Sequence, residues 1–162
     1  MAPMGVQDHR PVDRQSLTFT TDPLTEDMEI SGPSTVELYI SSTADDTDVV
    51  AILSDVRPDG YSQILRRNIL RASRRESLEN PTAIEPGKAY KLTIPIFPVS
   101  NMFLKGHRLR LTVSSSSFPK WFVGHNKFAK NNEEAPWVHA TNTIYHDGQH
   151  PSVLIVPVIP PK

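Results

Sequence analysis

Apolar residues along this chain recur at every second position in short runs, and turn-forming residues interrupt the runs. Leu17 and Phe19 begin the pattern, Val36, Leu38 and Ile40 repeat it after Pro33, and Leu109, Leu111 and Val113 give its cleanest form. Such alternation sets one side-chain face against a core and the other toward polar surroundings, so each run predicts a half-buried strand. Asp48 to Val56 predicts another strand, closed by Arg57-Pro58-Asp59-Gly60, where proline fixes φ and glycine accepts a turn conformation. Ser62 to Arg74 fits neither period cleanly; strand is favoured, with a small helix admitted at Ser77 to Asn80. Glu85-Pro86-Gly87 then turns the chain into Tyr90, Leu92, Ile94 and Ile96. Pro95 has no backbone donor, which predicts an edge strand or an end near Ile94. Thr141 to Tyr145 and Val153 to Val158 predict two terminal strands on either side of Asp147-Gly148.

About eight strands without a long amphipathic helix point to an all-β fold, a β-sandwich with jelly roll preferred to immunoglobulin topology. The high proline count of 15 argues against a helical bundle, because the prolines punctuate the apolar runs. A chain of 162 residues fits one domain and can hide about two-thirds of its extended surface on folding. Residues 1–15 read as an N-terminal arm or interdomain linker, and residues 16–162 as the sandwich domain. The 17 basic and 18 acidic side chains leave a net charge of −1, which gives no global attraction to nucleic acid or an anionic membrane. Without cysteine there is no disulfide scaffold, thiol nucleophile, thiolate zinc site or iron–sulfur ligation. No apolar run is long enough for a transmembrane helix, and Met1 to Arg14 does not resemble a secretory signal, so a cytoplasmic location is the default expectation.

Several clusters invite a chemical reading. The run Ser114 to Ser117 lacks the G-x-S-x-G elbow that exposes a serine nucleophile, and a strand end whose hydroxyls satisfy nearby backbone is favoured. His139, His146 and His150 with Asp147 carry zinc-ligating atoms, but their spacing follows no metal motif, and no metal or other cofactor is expected. Asp45, Asp46 and Asp48 offer oxygen ligands for calcium without an EF-hand pattern, and a solvated connection is favoured. Arg66, Arg67, Arg71, Arg74 and Arg75 form the strongest basic concentration, yet Glu76 and Glu79 follow and no aromatic interleaving marks nucleic acid; a carboxylate-pairing face is favoured. The most informative segment is the connection from Pro119 to Pro136, around which Phe118, Trp121, Phe122, Phe128 and Trp137 gather. Aromatics on a loop can anchor an interface or close the end of a sandwich, and they can also stack on sugars. Phe118, Trp121, Phe122 and Trp137 are the candidate interface or ligand-loop residues, and no catalytic residue is assigned.

A longer pattern runs through the serines. Lys105-Gly106-His107-Arg108-Leu109-Arg110-Leu111-Thr112-Val113 leads into Ser114 to Ser117 and Phe118-Pro119. It resembles the C-terminal jelly-roll domain of the X-Pro dipeptidyl-peptidase and cocaine-esterase-like serine hydrolase family. Pro23-Leu24-Thr25-Glu26-Asp27, Ile30-Ser31-Gly32-Pro33, Asp45-Asp46-Thr47-Asp48 and Asp55-Val56-Arg57-Pro58-Asp59-Gly60 extend the similarity in family order. So do Thr143-Ile144-Tyr145-His146 and Pro151-Ser152. The resemblance implies a galactose-binding-domain-like jelly roll, noncatalytic in itself, whose partner is an α/β-hydrolase catalytic domain in the same full-length protein or a separate chain. In that family the Ser-Asp-His triad lies on the catalytic domain, so peptidase or esterase chemistry is not expected of the isolated chain. The alternative function is a carbohydrate-binding module using the aromatic loop with Asn126, Asn131 and Asn132. Neither nucleic acid nor membrane is an expected partner, and the sequence leaves a homo-oligomer open. Two departures stand out: Ser117 replaces the Asn common in the family, and Lys120-Trp121-Phe122-Val123-Gly124 is more apolar than the usual Arg/Asp/Asn-rich segment.

Overall fold

The alternation does build strands, which assemble into two antiparallel sheets. The computed structural model describes residues 8–129 and 135–160. In chain order the elements are α1 (Arg10–Asp13), β1 (Leu17–Thr20), β2 (Met28–Ser42), β3 (Asp48–Val56), β4 (Ser62–Arg71), β5 (Tyr90–Phe103), β6 (Arg108–Ser114), β7 (Asn142–Tyr145), β8 (Val153–Ile155) and β9 (Val158–Ile159). One sheet has the order β1-β6-β3-β4. In the other, β5 lies on one side of β2, while β7, β8 and β9 all pair with its other side. The fold is an all-β sandwich.

The core lies between the sheets. Val36, Leu38 and Ile40 of β2 meet Leu92, Ile94 and Ile96 of β5 and Val49, Ala51, Leu111 and Val113 from the facing sheet. A second cluster joins Ile30, Leu53, Val99, Phe103 and Leu109. Every residue of β3 is buried, including Val50 and Ile52, which belong to neither cluster. The chain therefore covers the outer face of the four-stranded sheet at β3 as well. Part of that cover is the segment read as an arm: His9 and Asp13 are buried, the His9 amide donates to the Ser62 carbonyl (2.9 Å), and Asp13 accepts from Arg110 and Thr112 of β6 at 2.9 Å each. Pro11 fixes φ in the first turn of α1. From Asp8 onward the segment is thus packed on the sandwich instead of extending from it; residues 1–7 lie outside the described ones.

Other differences from expectation have local causes. β2 begins before Gly32-Pro33, because a register shift between Gly32 and Ser34 absorbs the proline as an irregularity within the strand. Gly32 has φ +131°, and a Cβ there would meet Pro157 Cγ at 3.2 Å, so a side chain would be both strained and crowded. β5 continues past Pro95 to Phe103, and it is an edge strand, so the missing donor of Pro95 breaks no ladder. The helix admitted at Ser77 to Asn80 does not form; the Ser77 hydroxyl accepts from the amides of Glu79 and Asn80 in a bend, and the one short 3₁₀ turn here is Ala72–Arg74. The last predicted strand is two, β8 and β9, with Val156 and Pro157 between them.

Candidate functional site

The loop from β6 to β7 carries the aromatic candidates; Asp45 and Thr47 bond it to the sandwich, and Gly124 packs on the Asp48–Arg71 pair. Asp48, at the start of β3, is gripped by Arg71 of β4 through Nε (2.9 Å) and Nη2 (3.2 Å). Gly124 lies directly over this pair: a Cβ on it would come within 2.1 Å of Asp48 Oδ2. Asp45 accepts the Phe128 amide at 2.8 Å and pairs with the Lys127 ammonium. Burial disfavours the charge of Asp45, but Lys127 and the amide outweigh it and hold the carboxyl below the usual range. Asp46 is buried and accepts from the Thr47 and Ser73 amides and the Ser73 hydroxyl at 2.8–2.9 Å, while burial pushes its carboxyl up. Asp45 therefore anchors the loop, whereas Asp46 holds the turn after β4 and Asp48 holds Arg71 beneath Gly124; among the described residues no group of three or more His, Cys, Asp or Glu is placed to hold a metal ion.

Neutral contacts finish the anchoring. Thr47 Oγ1 donates to Asn126 Oδ1 (3.0 Å), and Asn126 Nδ2 donates to the Val138 carbonyl (3.0 Å). Asn126 sits at φ +55°, a left-handed conformation that Asn tolerates better than most residues. The Val138 amide donates to the His125 carbonyl (2.9 Å), and His125 Nδ1 donates to the Ala135 carbonyl (2.7 Å). Arg67 reaches across from β4 to Ser117 Oγ (3.3 Å). With both ends of the Asn126 amide engaged, the group proposed for sugar hydroxyls is occupied by the loop itself; Asn131 and Asn132 lie outside the described residues.

The anchored loop presents rings to solvent. Phe122 is 93% exposed, Phe118 69% and Trp137 67%. These three line a cleft of about 470 Å³ together with Val123, Gly124 and His125. Trp137 is backed by the His125 imidazole, with ring centroids 4.1 Å apart. Trp121 is not brought into this group; it is half-buried, with the Lys120 ammonium 5.1 Å from its ring centroid. Phe128 is half-buried beside Asp45.

The remaining clusters are engaged within the fold. Ser114 Oγ donates to the Ser116 carbonyl, and the Ser117 carbonyl accepts the Lys120 and Trp121 amides. His107 Nδ1 donates to Asp55 Oδ1 (2.8 Å), joining the start of β6 to the end of β3. His146 meets the Phe19 ring, whereas His150 packs on Tyr39 and Tyr145 and pairs with Asp147. In the basic run, Arg66 caps the Pro98 carbonyl, Arg74 reaches the Leu78 carbonyl, and Arg75 lies over Tyr90 while donating to Ala72 and Thr82 carbonyls. Sequence reasoning missed a second apolar surface, where Leu17 and Phe19 of β1 remain exposed; strand alternation had placed both in a core.

The model of the X-Pro dipeptidyl-peptidase C-terminal non-catalytic domain matches residues 2–155. Cocaine esterase from Rhodococcus sp. (strain MB1 Bresler) is 41% identical over 160 residues, covering 96% of this chain and 28% of the relative. Two solved structures superpose with TM-scores of 0.91 at 30% identity: an aminopeptidase from a marine sediment Thaumarchaeota archaeon and an α-amino acid ester hydrolase. They cover 96% and 95% of this chain but only 28% and 27% of their own. The chain thus spans little more than a quarter of each of these proteins, and it belongs to the family of X-Pro dipeptidyl-peptidase C-terminal non-catalytic domains.

Proposed function

We propose that this module stabilises and completes a serine acyl hydrolase by packing its aromatic loop against an α/β-hydrolase catalytic domain of the same polypeptide. The observation that carries the reading is the pairing of an anchored loop with exposed rings: Asp45 and Thr47 bond to the loop at Phe128, Lys127 and Asn126, while Phe118, Phe122 and Trp137 project from it. Large rings on a pre-ordered loop lose little further entropy on docking and exclude water efficiently. Burying one such phenylalanine contributes about 2 kcal/mol, or about thirtyfold in affinity.

The test compares the 162-residue chain with a longer polypeptide that includes the catalytic domain. Turnover of X-Pro dipeptide or acyl-ester substrates is expected only from the longer one. Phe118→Ala with Phe122→Ala should lower its melting temperature while leaving the isolated module unchanged. Purification-tracking hydrolysis by the module alone, lost on a single serine substitution, overturns the reading.

A further inference from the structure

The two sides of the sandwich are closed differently. On one side, β4 is stitched to β5 by Asn68 Nδ2 donating to the Pro95 carbonyl (2.8 Å) and Arg66 Nε donating to the Pro98 carbonyl (2.9 Å). On the other, β1 has no comparable facing strand among the described residues. The reason is topological: the sheet β1-β6-β3-β4 is four strands wide, but the facing sheet is three wide, since β7, β8 and β9 lie end to end along one edge of β2. Leu17 and Phe19 stand opposite Val113 and Leu111 in register and share their core-facing side, yet they are 52% and 39% exposed. Beneath Phe19 lies a mainly apolar cavity of about 350 Å³ lined by Leu38, Leu111 and Leu154, and beneath Leu17 a mixed one of about 240 Å³ where Val113 and Ile144 meet Gln15, Ser114 and Asn142.

We infer that a further β-strand, supplied by the hydrolase polypeptide outside this module, pairs with the free edge of β7 and β8 and fills the cavities under β1. The inference rests on the accessory-domain reading above and names the chemistry of one contact in it. Ile144 and Leu154 already point into the core opposite Ile40 and Val36, so the ladder along this edge is formed on one side and unpaired on the other among the described residues. From Thr35 to Ser42 of β2, the edge measures about 25 Å at the ordinary strand rise, in two pieces: β8 lies opposite Thr35–Glu37, β7 opposite Tyr39–Ser42, and residues 146–152 leave the sheet between them. It therefore suits an extended segment of about eight residues, with apolar side chains at alternate positions facing Leu17 and Phe19 and polar ones facing outward. An eight-stranded jelly roll sets two four-stranded sheets face to face, and the added strand supplies the fourth position of the narrower one. The source follows from length: the chain spans 28% of cocaine esterase and 27% of the ester hydrolase, so such proteins carry ample polypeptide outside it.

Amide hydrogen exchange and thiol labelling test this in the 162-residue chain and in the longer polypeptide. The unpaired amides of residues 142–145 and 153–155 should exchange at least about tenfold more slowly in the longer polypeptide. Because the chain has no cysteine, Phe19→Cys, or Leu17→Cys if that variant does not fold, introduces a single maleimide target whose labelling is read by peptide mass spectrometry. The thiol should react in the chain alone and be protected in the longer protein. Protection of the thiol with unchanged exchange at β7 and β8 indicates a covering surface without strand pairing and overturns the inference. Equal exchange and equal labelling in both proteins overturn it as well. These readouts are independent of turnover, so hydrolysis by the chain alone would remove the accessory-domain reading without altering them.

Discussion

Replacing Gly124 with alanine tests whether the aromatic loop is seated on the Asp48–Arg71 pair. The new Cβ would stand 2.1 Å from Asp48 Oδ2, 2.9 Å from its Cγ and 3.1 Å from Arg71 Nη2. The carboxylate has little room to yield, because its side chain is 5% exposed and bound by Arg71 through two contacts. Either the loop lifts or the ion pair loosens. Overpacking of this kind costs about 1–3 kcal/mol, and weakening a hydrogen bond to a charged group costs about 1.5–3 kcal/mol. Lifting an exposed loop is the cheaper relaxation, so about 2 kcal/mol is expected, a fall of about 6 °C in melting temperature for a domain of this size. Trp121 and Trp137 are the only tryptophans, and both lie on this loop; acrylamide quenching of their fluorescence reports the loop while far-ultraviolet circular dichroism reports the sheets. Quenching should increase with the sheet signal intact. Gly148→Ala is the control, since nothing lies within 4 Å of its Cβ and its φ is not positive; a change within about 0.5 kcal/mol is expected. If Gly124→Ala melts together with the control and quenches like the parent, the loop is not seated where the geometry puts it.

How far the sequence carried the fold depended on the range of the forces involved. Leu109, Leu111 and Val113 declare β6 because their alternation is complete within seven residues, and the strand lies between two neighbours that reward it. Leu17 and Phe19 show the same alternation and remain exposed, because burial depends on what faces the strand, which local periodicity does not encode. The helix α1 was invisible for a related reason: four residues hold barely one turn, and its anchors on Arg110 and Thr112 are 97 and 99 residues away from Asp13. At the candidate site, Phe118 and Phe122 were legible as interface or ligand-loop candidates from their place on a proline-bounded connection, but whether they close the sandwich or project from it was set by the fold. The role of the carboxylates was not legible. Asp45, Asp46 and Asp48 are adjacent in sequence but meet Lys127, Ser73 and Arg71, so the acidic cluster is divided among three partners that only the fold brings near.

Further perturbations separate core, clip and charge. Ile40→Ala, at a fully buried β2 position, should cost about 3 kcal/mol in urea unfolding with little change in the slope; a loss below about 1 kcal/mol would contradict the core assignment. His107→Ala leaves the Asp55 carboxylate largely buried without its imidazole donor and should cost about 2 kcal/mol, measured the same way. Asp13 and Asp46 should impose opposite pH slopes. Burial disfavours the Asp13 charge, but bonds from Thr112, Arg110 and His9 outweigh it and hold its carboxyl below the usual 3.8. The folded state then releases the proton more readily than the unfolded chain, so the stabilisation is complete above the unfolded value and is lost as pH falls through the folded one. Asp13→Asn should therefore be less stable than the parent by about 3 kcal/mol near neutral pH, with the gap narrowing as pH drops below the ordinary carboxylate range. Asp46 is the reverse case: burial raises its value, the folded state keeps the proton longer, and stability falls as pH rises from the unfolded value through the folded one. Asp46→Asn should remove that decline, so its stability relative to the parent improves across a window above 3.8, whereas the Asp13 effect lies below it. Urea midpoints taken across both windows would refute the assignment if either variant differed from the parent by a constant amount at every pH.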